Sequence, residues 1–264
     1  MKFKSVLTAT CMLILATGMA GAQSFLDQQL SNPTVEAAFQ NKDSVLRKEF
    51  AAKHLEYPPR FMYIRAFKYD SQLEVWVKQN LSDTFCLFKS YRICALSGTM
   101  GPKRRQGDGQ VPEGFYYISE FKPNSAFHLA LGLNYPNYSD RLAGGSGDMG
   151  GDIYIHGSCV TEGCIPLTDP RIEEVYLLAT YARNSGQDFI PVDIFPIRFN
   201  NKISRDYLGS LVPSVNSSRK FWVNLRNAYD YFNQTHQLPV IMYDTRGNYV
   251  IQGKFTPGAS ITAR

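Results

Sequence analysis

Between Tyr154 and Thr168 one short stretch gathers a histidine, two cysteines and two glycines: Tyr154-Ile155-His156-Gly157-Ser158-Cys159-Val160-Thr161-Glu162-Gly163-Cys164-Ile165-Pro166-Leu167-Thr168. Thiol chemistry needs a sulfur that can ionise near neutral pH, a base within reach, and backbone N–H groups turned towards a developing oxyanion. Gly163 beside Cys164 permits a tight turn with unshielded N–H groups. A helix after the loop would bring a positive end near the sulfur. Cys164 therefore reads as a nucleophile and His156, eight positions earlier, as its base. The thiolate would attack a carbonyl, the imidazolium would protonate the leaving amine, and the thioester would pass its acyl group to an amine or to water.

Other chemistries compete for the same residues. His156, Cys159 and Cys164 offer three metal ligands, but no further Cys or His lies nearby and the paired spacing of mixed zinc sites is missing. A Cys159–Cys164 disulfide would silence the nucleophile, and its spacing does not match the two-residue redox motif. Cys159 is expected to be a wall residue. His128 is a reserve base, whereas His54 and His236 read as surface residues. The Lys103-Arg104-Arg105 cluster reads as a solvated loop, with Lys103 as a handle for a substrate carboxylate. Ser158, Thr161 and Glu162 complete the candidate substrate contacts.

These residues need a scaffold to position them. Of 264 residues, 44% are apolar and 19% charged, and there are 16 Tyr and 17 Phe. That composition fits a globular, strand-rich chain with ample core and excludes a disordered one. Lys2 and Lys4, the apolar run 6–19 and Ala20-Gly21-Ala22 predict a cleaved signal peptide over 1–22, hence an exported, periplasmic protein without stable membrane insertion. Cleavage leaves 26 basic against 23 acidic residues, a net charge of +3, too mild to argue for nucleic acid. Four cysteines remain after cleavage. Cys86 and Cys94 flank a predicted hairpin turn at Lys89-Ser90-Tyr91; a cross-strand disulfide is conceivable, but two buried thiols are preferred.

The expected order is an N-terminal helical segment over 23–58, a strand-dominated domain over 59–200, and a helix-plus-hairpin extension over 201–264. Asn32 and Pro33 signal a helix start. Strands are predicted at 61–67, 73–77, 84–88, 92–97, 115–119, 126–133, 152–155 and 192–195. A helix opens at Asp169-Pro170 with Ile172, Val175, Tyr176 and Ala179 buried. A second begins near Ser217 or Ser218 with Phe221, Trp222, Leu225, Tyr229 and Phe232 on its apolar face. Runs at 239–243 and 248–251 form a last hairpin around Arg246-Gly247.

With these residues in place, His156-Gly157 followed by Thr161-x-Gly163-Cys164 and a helix resembles the signature of the YkuD-type L,D-transpeptidase catalytic domain. The run Gly101-Pro102-Lys103, Gly107-Asp108 and Pro112-Glu113-Gly114-x-Tyr116 matches the same family. Tyr135-Pro136-Asn137 with Asp140-Arg141, and Gly163-Cys164-x-Pro166-Leu167-Thr168-Asp169, resemble its YafK-like, ErfK/YbiS-related branch. The resemblance spans roughly residues 60 to 200. It implies a mainly β fold with flanking helices, a bent β-sandwich with the cysteine loop at one end. It implies peptidoglycan stem peptides as substrate, no cofactor and, in the YafK-like branch, hydrolytic release of a peptidoglycan-linked lipoprotein. Carried over, Cys164 is the nucleophile, His156 the base, Gly157 orients the ring through its carbonyl, and the N–H groups of Gly163 and Cys164 contribute to the oxyanion hole. Common members carry a second histidine where this chain has Glu162, and a longer span before the cysteine; both departures fit the YafK-like branch and weaken the case for standard crosslinking. The alternative from another class is a non-catalytic peptidoglycan-binding module of the same fold.

Overall fold

The computed structural model describes residues 23–211 and 218–252; the predicted signal peptide lies outside the described residues. Two helices come first among the described residues, each with a side-chain cap. Ser24 accepts the Asp27 N–H before α1 (Phe25–Leu30), and Asn32 accepts the Thr34 N–H before α2 (Pro33–Ala52), with Pro33 in the first turn.

An eight-stranded sheet follows. Its strands are β1 (Phe61–Phe67), β2 (Gln72–Lys78), β3 (Cys86–Arg92), β4 (Gly114–Ser125), β5 (His128–Leu133), β6 (Tyr154–His156), β7 (Ile165–Pro166) and β8 (Pro191–Phe195). Their order across the sheet is β3-β2-β1-β8-β4-β5-β6-β7. The twelve-residue β4 joins the two halves. Gly114 to Tyr117 pair with β8, and from Ile118 onwards β4 pairs with β5 through two register shifts. Such shifts bend and twist a strand, which accounts for the curl of the sheet at this point. The expectation of a mainly β fold with flanking helices holds.

Strand β1 shows why both faces of the sheet are covered. Met62, Ile64 and Ala66 belong to the main core, which includes α4 (Asp169–Asn184) and α2. Tyr63 and Phe67, alternating with them, join clusters on the opposite side that include Phe232 and Tyr229 of α6 (Arg219–Thr235). Between them the buried Arg65 pairs with Glu74 at 2.7 Å and lies over the rings of Trp76 and Phe232. Successive side chains of a strand point to opposite faces, so a strand buried on both sides has no polar alternation. Helix α4 is correspondingly buried from Val175 to Ala182 without a break.

Several elements differ from the sequence expectation. The hairpin turn predicted at Lys89-Ser90-Tyr91 does not exist; those residues are interior to β3, which pairs with β2 along its length. Lys89 spans to Glu49 of α2 and Glu174 of α4, both at 2.8 Å, while Tyr91 is buried. The polarity of Lys89 thus reflects ion pairing across layers, not a turn, and the turn propensity of Ser90 is overridden by the strand pairing on either side of it. Two helices escaped notice: α3 (Tyr138–Gly144), opened by a reciprocal Asn137–Asp140 capping box, and α5 (Lys202–Leu211). The final hairpin, β9 (Val240–Tyr243) with β10 (Tyr249–Gln252), is present as expected.

The cysteine expectation is overturned. Cys94 is joined to Cys159 in a disulfide, with Cα atoms 5.5 Å apart, and Cys86 is an exposed free thiol. Because β3 is one strand, with Cys86 at its start and Cys94 two residues beyond its end, the two cannot face each other across a turn. Cys159, expected as an unpaired wall residue, is committed to this bond, which removes it from both the metal and the Cys159–Cys164 redox readings.

Candidate active site

The candidate site sits at the β5-β6-β7 edge of the sheet. Ala130 pairs with His156 and Gly132 with Tyr154, while Ile155 pairs with Ile165 and His156 with Pro166. Cys164 therefore stands one residue before β7, the strand next to the one that ends in His156.

His156 is 1% exposed and its ring lies on Phe127, with centroids 4.7 Å apart. Its Nδ1 is hydrogen-bonded to the Gly157 carbonyl at 2.5 Å. A carbonyl only accepts, so Nδ1 carries the proton and Nε2 of the neutral ring keeps a lone pair. Burial holds the His156 pKa below its ordinary value, against the raising effect of the Gly157 carbonyl.

The turn after His156 is fixed from several directions. Gly157 N–H donates to the Leu129 carbonyl at 3.1 Å. A Cβ on Gly157 would lie 2.6 Å from Asp169 Oδ1 and 2.8 Å from the Phe127 carbonyl oxygen, so only glycine fits. Ser158 takes a positive φ of 62° and donates its N–H to Asp169 Oδ1 at 2.8 Å. The disulfide ties Cys159 to Cys94, whose own N–H donates to the Pro166 carbonyl at 3.1 Å. Thr161 Oγ1 donates to the Cys164 carbonyl at 2.8 Å and accepts the Gly163 N–H at 3.2 Å. Thr161 is thus an internal staple, and the Gly163 N–H, expected to be free, is already engaged.

Cys164 Sγ accepts the Tyr154 N–H at 3.4 Å and donates to the Asp152 carbonyl at 3.4 Å. No hydrogen bond joins it to His156 among the described residues. Burial raises the thiol pKa; the Tyr154 N–H opposes this, the Asp152 charge adds to it, and the Lys103 charge counters. The expected low-pKa sulfur is therefore corrected: enclosure disfavours the thiolate more than the nearby N–H and ammonium favour it, and the resting pair is neutral thiol with neutral imidazole.

The other candidates separate into engaged and free groups. Lys103 is buried, with Nζ donating to Asp108 Oδ1 and the Arg105 carbonyl, both at 2.7 Å. Burial works against the Asp108 carboxylate, but Lys103 and the N–H groups of Arg104, Gln110 and Arg105 hold its pKa at about 2. Arg104 reaches Asp140 at 2.8 Å, while Arg105 and Glu162 are exposed. His128 is not beside the sulfur; its Nε2 meets Glu173 of α4 at 2.9 Å. His54 and His236 are exposed. Sequence reasoning missed Phe127, Asp169 and Tyr154 as neighbours of the site. Only Asp169 had left a signal, as the acid opening the helix after the loop.

The L,D-transpeptidase catalytic domain model (YkuD) matches residues 63–194, half of the chain. The chain is 35% identical over 202 residues to the protein named "Putative L,D-transpeptidase YafK" from Escherichia coli, covering 74% of this chain and 77% of that one. Among solved structures, the helical cell shape determining protein Pgp2 from Campylobacter jejuni aligns with a TM-score of 0.40 at 17% identity, over 77% of this chain and 80% of that chain. Bd1075 from Bdellovibrio bacteriovorus aligns with a TM-score of 0.37 at 20% identity, over 62% and 59%. The chain belongs to the YkuD family of L,D-transpeptidase catalytic domains.

Proposed function

We propose that this protein is a periplasmic cysteine enzyme that acts on peptidoglycan stem peptides through a Cys164 thioester. The observation that carries the reading is the His156 Nδ1 bond to the Gly157 carbonyl. It fixes the tautomer whose Nε2 can take a proton, at the end of a strand adjacent to Cys164.

Cys164 Sγ exchanges its Asp152 contact for His156 Nε2 as substrate enters. Catalytic hydrogen bonds commonly tighten only with substrate bound. Sγ attacks the amide carbonyl carbon while Nε2 takes the thiol proton. The Cys164 N–H and any N–H freed from the Thr161 staple receive the oxyanion. The imidazolium then protonates the amine nitrogen, the C–N bond breaks, and the acyl group stays on sulfur. Water or a second amine attacks the thioester, giving its proton to Nε2, and the thiol is restored. Lys103 acts electrostatically on the sulfur, while Ser158 and Thr161 shape the loop and Glu162 faces the entering substrate.

Glu162 in place of a second histidine, and the short span between His156 and Cys164, favour hydrolysis, including release of peptidoglycan-linked lipoprotein, over crosslinking. The test is incubation of the protein lacking residues 1–22 with sacculi, lipoprotein-bearing ones included, followed by mass spectrometry. Released lipoprotein or shortened stems are expected. New crosslinks between L-centres would establish transfer instead. Retention on sacculi without any change would replace the enzyme reading with that of a binding module.

A further inference from the structure

A buried polar network outside the candidate site ends beside it. Lys68 and Glu113 form an ion pair at 3.0 Å with both side chains almost fully enclosed. Lys68 Nζ also donates to the carbonyls of Gly101 and Val111, each at 2.9 Å, and Glu113 Oε1 accepts the Gly101 N–H at 2.7 Å. One ammonium thus pins both ends of the 101–111 loop. Glu113 Oε2 is satisfied from a distant part of the chain, by Trp222 Nε1 of α6 at 2.7 Å. The neighbouring Phe221 ring lies 5.6 Å from the Arg104 guanidinium, which belongs to the same loop.

The loop presents two groups to the nucleophile. The Gln110 carbonyl oxygen packs so closely on Gly163 that a Cβ there would stand 2.9 Å away. Lys103, held by Asp108, is a cation whose charge favours the Cys164 thiolate. A buried ion pair is weak as a source of stability, because desolvation offsets most of its attraction. A fully satisfied buried network instead fixes a unique geometry. Here the geometry fixed is that of the loop against Cys164.

We propose that Phe221 and Trp222 are positioning residues for Cys164: through Arg104 and Glu113 they hold the 101–111 loop, and with it Lys103 and Gln110, against the nucleophile. The inference rests on Cys164 being the reactive sulfur. It makes α6, distant in sequence, part of what sets the sulfur's environment.

The experiment is the pH profile of Cys164 alkylation by iodoacetamide, read on the Cys164 peptide by mass spectrometry because Cys86 is also a free thiol. Trp222→Phe keeps an aromatic ring and removes the donor to Glu113; Phe221→Leu removes the ring over Arg104. Each is expected to move the alkylation midpoint upwards, as Lys103→Met does, with a rate loss of roughly tenfold per pK unit at neutral pH. Combined with Lys103→Met, neither should shift it further, since coupled residues are not additive. An unchanged midpoint in both variants, with only a lowered melting temperature, would overturn the proposal, as would shifts that add in full. Should Trp222→Phe fail to fold, the half-buried Phe221 runs the same test. Turnover on sacculi is measured in parallel: its absence in the unaltered protein counts against the acyl-transfer reading, while the alkylation coupling is decided separately.

Discussion

Asp169 Oδ1 accepts the Ser158 N–H at 2.8 Å, which makes the first residue of helix α4 and the turn after His156 one mechanical unit. The same oxygen stands 2.6 Å from where a Cβ on Gly157 would be, so it fixes the peptide whose carbonyl holds the histidine ring. Asp169→Ala should slow turnover by roughly tenfold or more, the scale of misplaced catalytic geometry. The stability cost should be only about 1 kcal/mol, since the site is exposed. Steady-state kinetics beside a melting curve would check this; a large melting loss with unchanged kinetics would refute it.

Cys164→Ala should abolish turnover on sacculi while leaving the melting temperature near that of the unaltered protein. The side chain makes only two weak sulfur contacts, at 3.4 Å each, so little packing is lost. Residual activity in this variant would rule out the thioester route.

The disulfide makes Cys159 a determinant of stability and not a plain wall residue. Cys94 and Cys159 are 65 positions apart, and closing a loop of that length is worth on the order of 4 kcal/mol in the chain-entropy account. Cys159→Ser or Cys94→Ser should lower the melting temperature clearly, and reductant should do the same to the unaltered protein but not to either variant. Matching melts with and without reductant would argue against the bond.

The pH dependence follows from the two shifted groups. His156 is depressed below its ordinary 6.5 by burial, so the neutral base persists into mildly acidic solution. Turnover should therefore rise through a pKa below 6.5 and remain high at neutral pH. Its stability contribution is present above 6.5 and is lost as pH falls through the depressed value. Cys164 is raised above its ordinary 9.0, so its contribution is present below 9.0 and fades as pH rises through the raised value. A pH–rate profile with its acidic limb above 6.5 would contradict this arrangement.

The chemistry-bearing loop was legible because its determinants are local. His156, Gly157, Gly163 and Cys164 lie within one short turn, and Asp169-Pro170 announces the helix that closes it. What was illegible depends on distant partners. Cys94 finds Cys159 only once β3 and the loop are folded together, and sequence spacing does not choose among pairings. Lys103 looked like a solvated handle because Asp108, its half-buried partner, carries no periodic signal. Lys89 imitated a turn because its two carboxylate partners lie on α2 and α4.

The two-sided burial of β1 bears on how this chain can be divided. Met62, Ile64 and Ala66 share a core with α2 and α4, but Phe67 and Phe195 are covered by Tyr229 of α6. Excision at residue 200, where the sequence invites a domain cut, would lay open an aromatic sheet face together with the Arg65 cation beneath it. Exposed apolar surface of that kind drives aggregation. The trimmed fragment should collect in the insoluble fraction of an expression host, and a fragment made for recombinant work should keep α6.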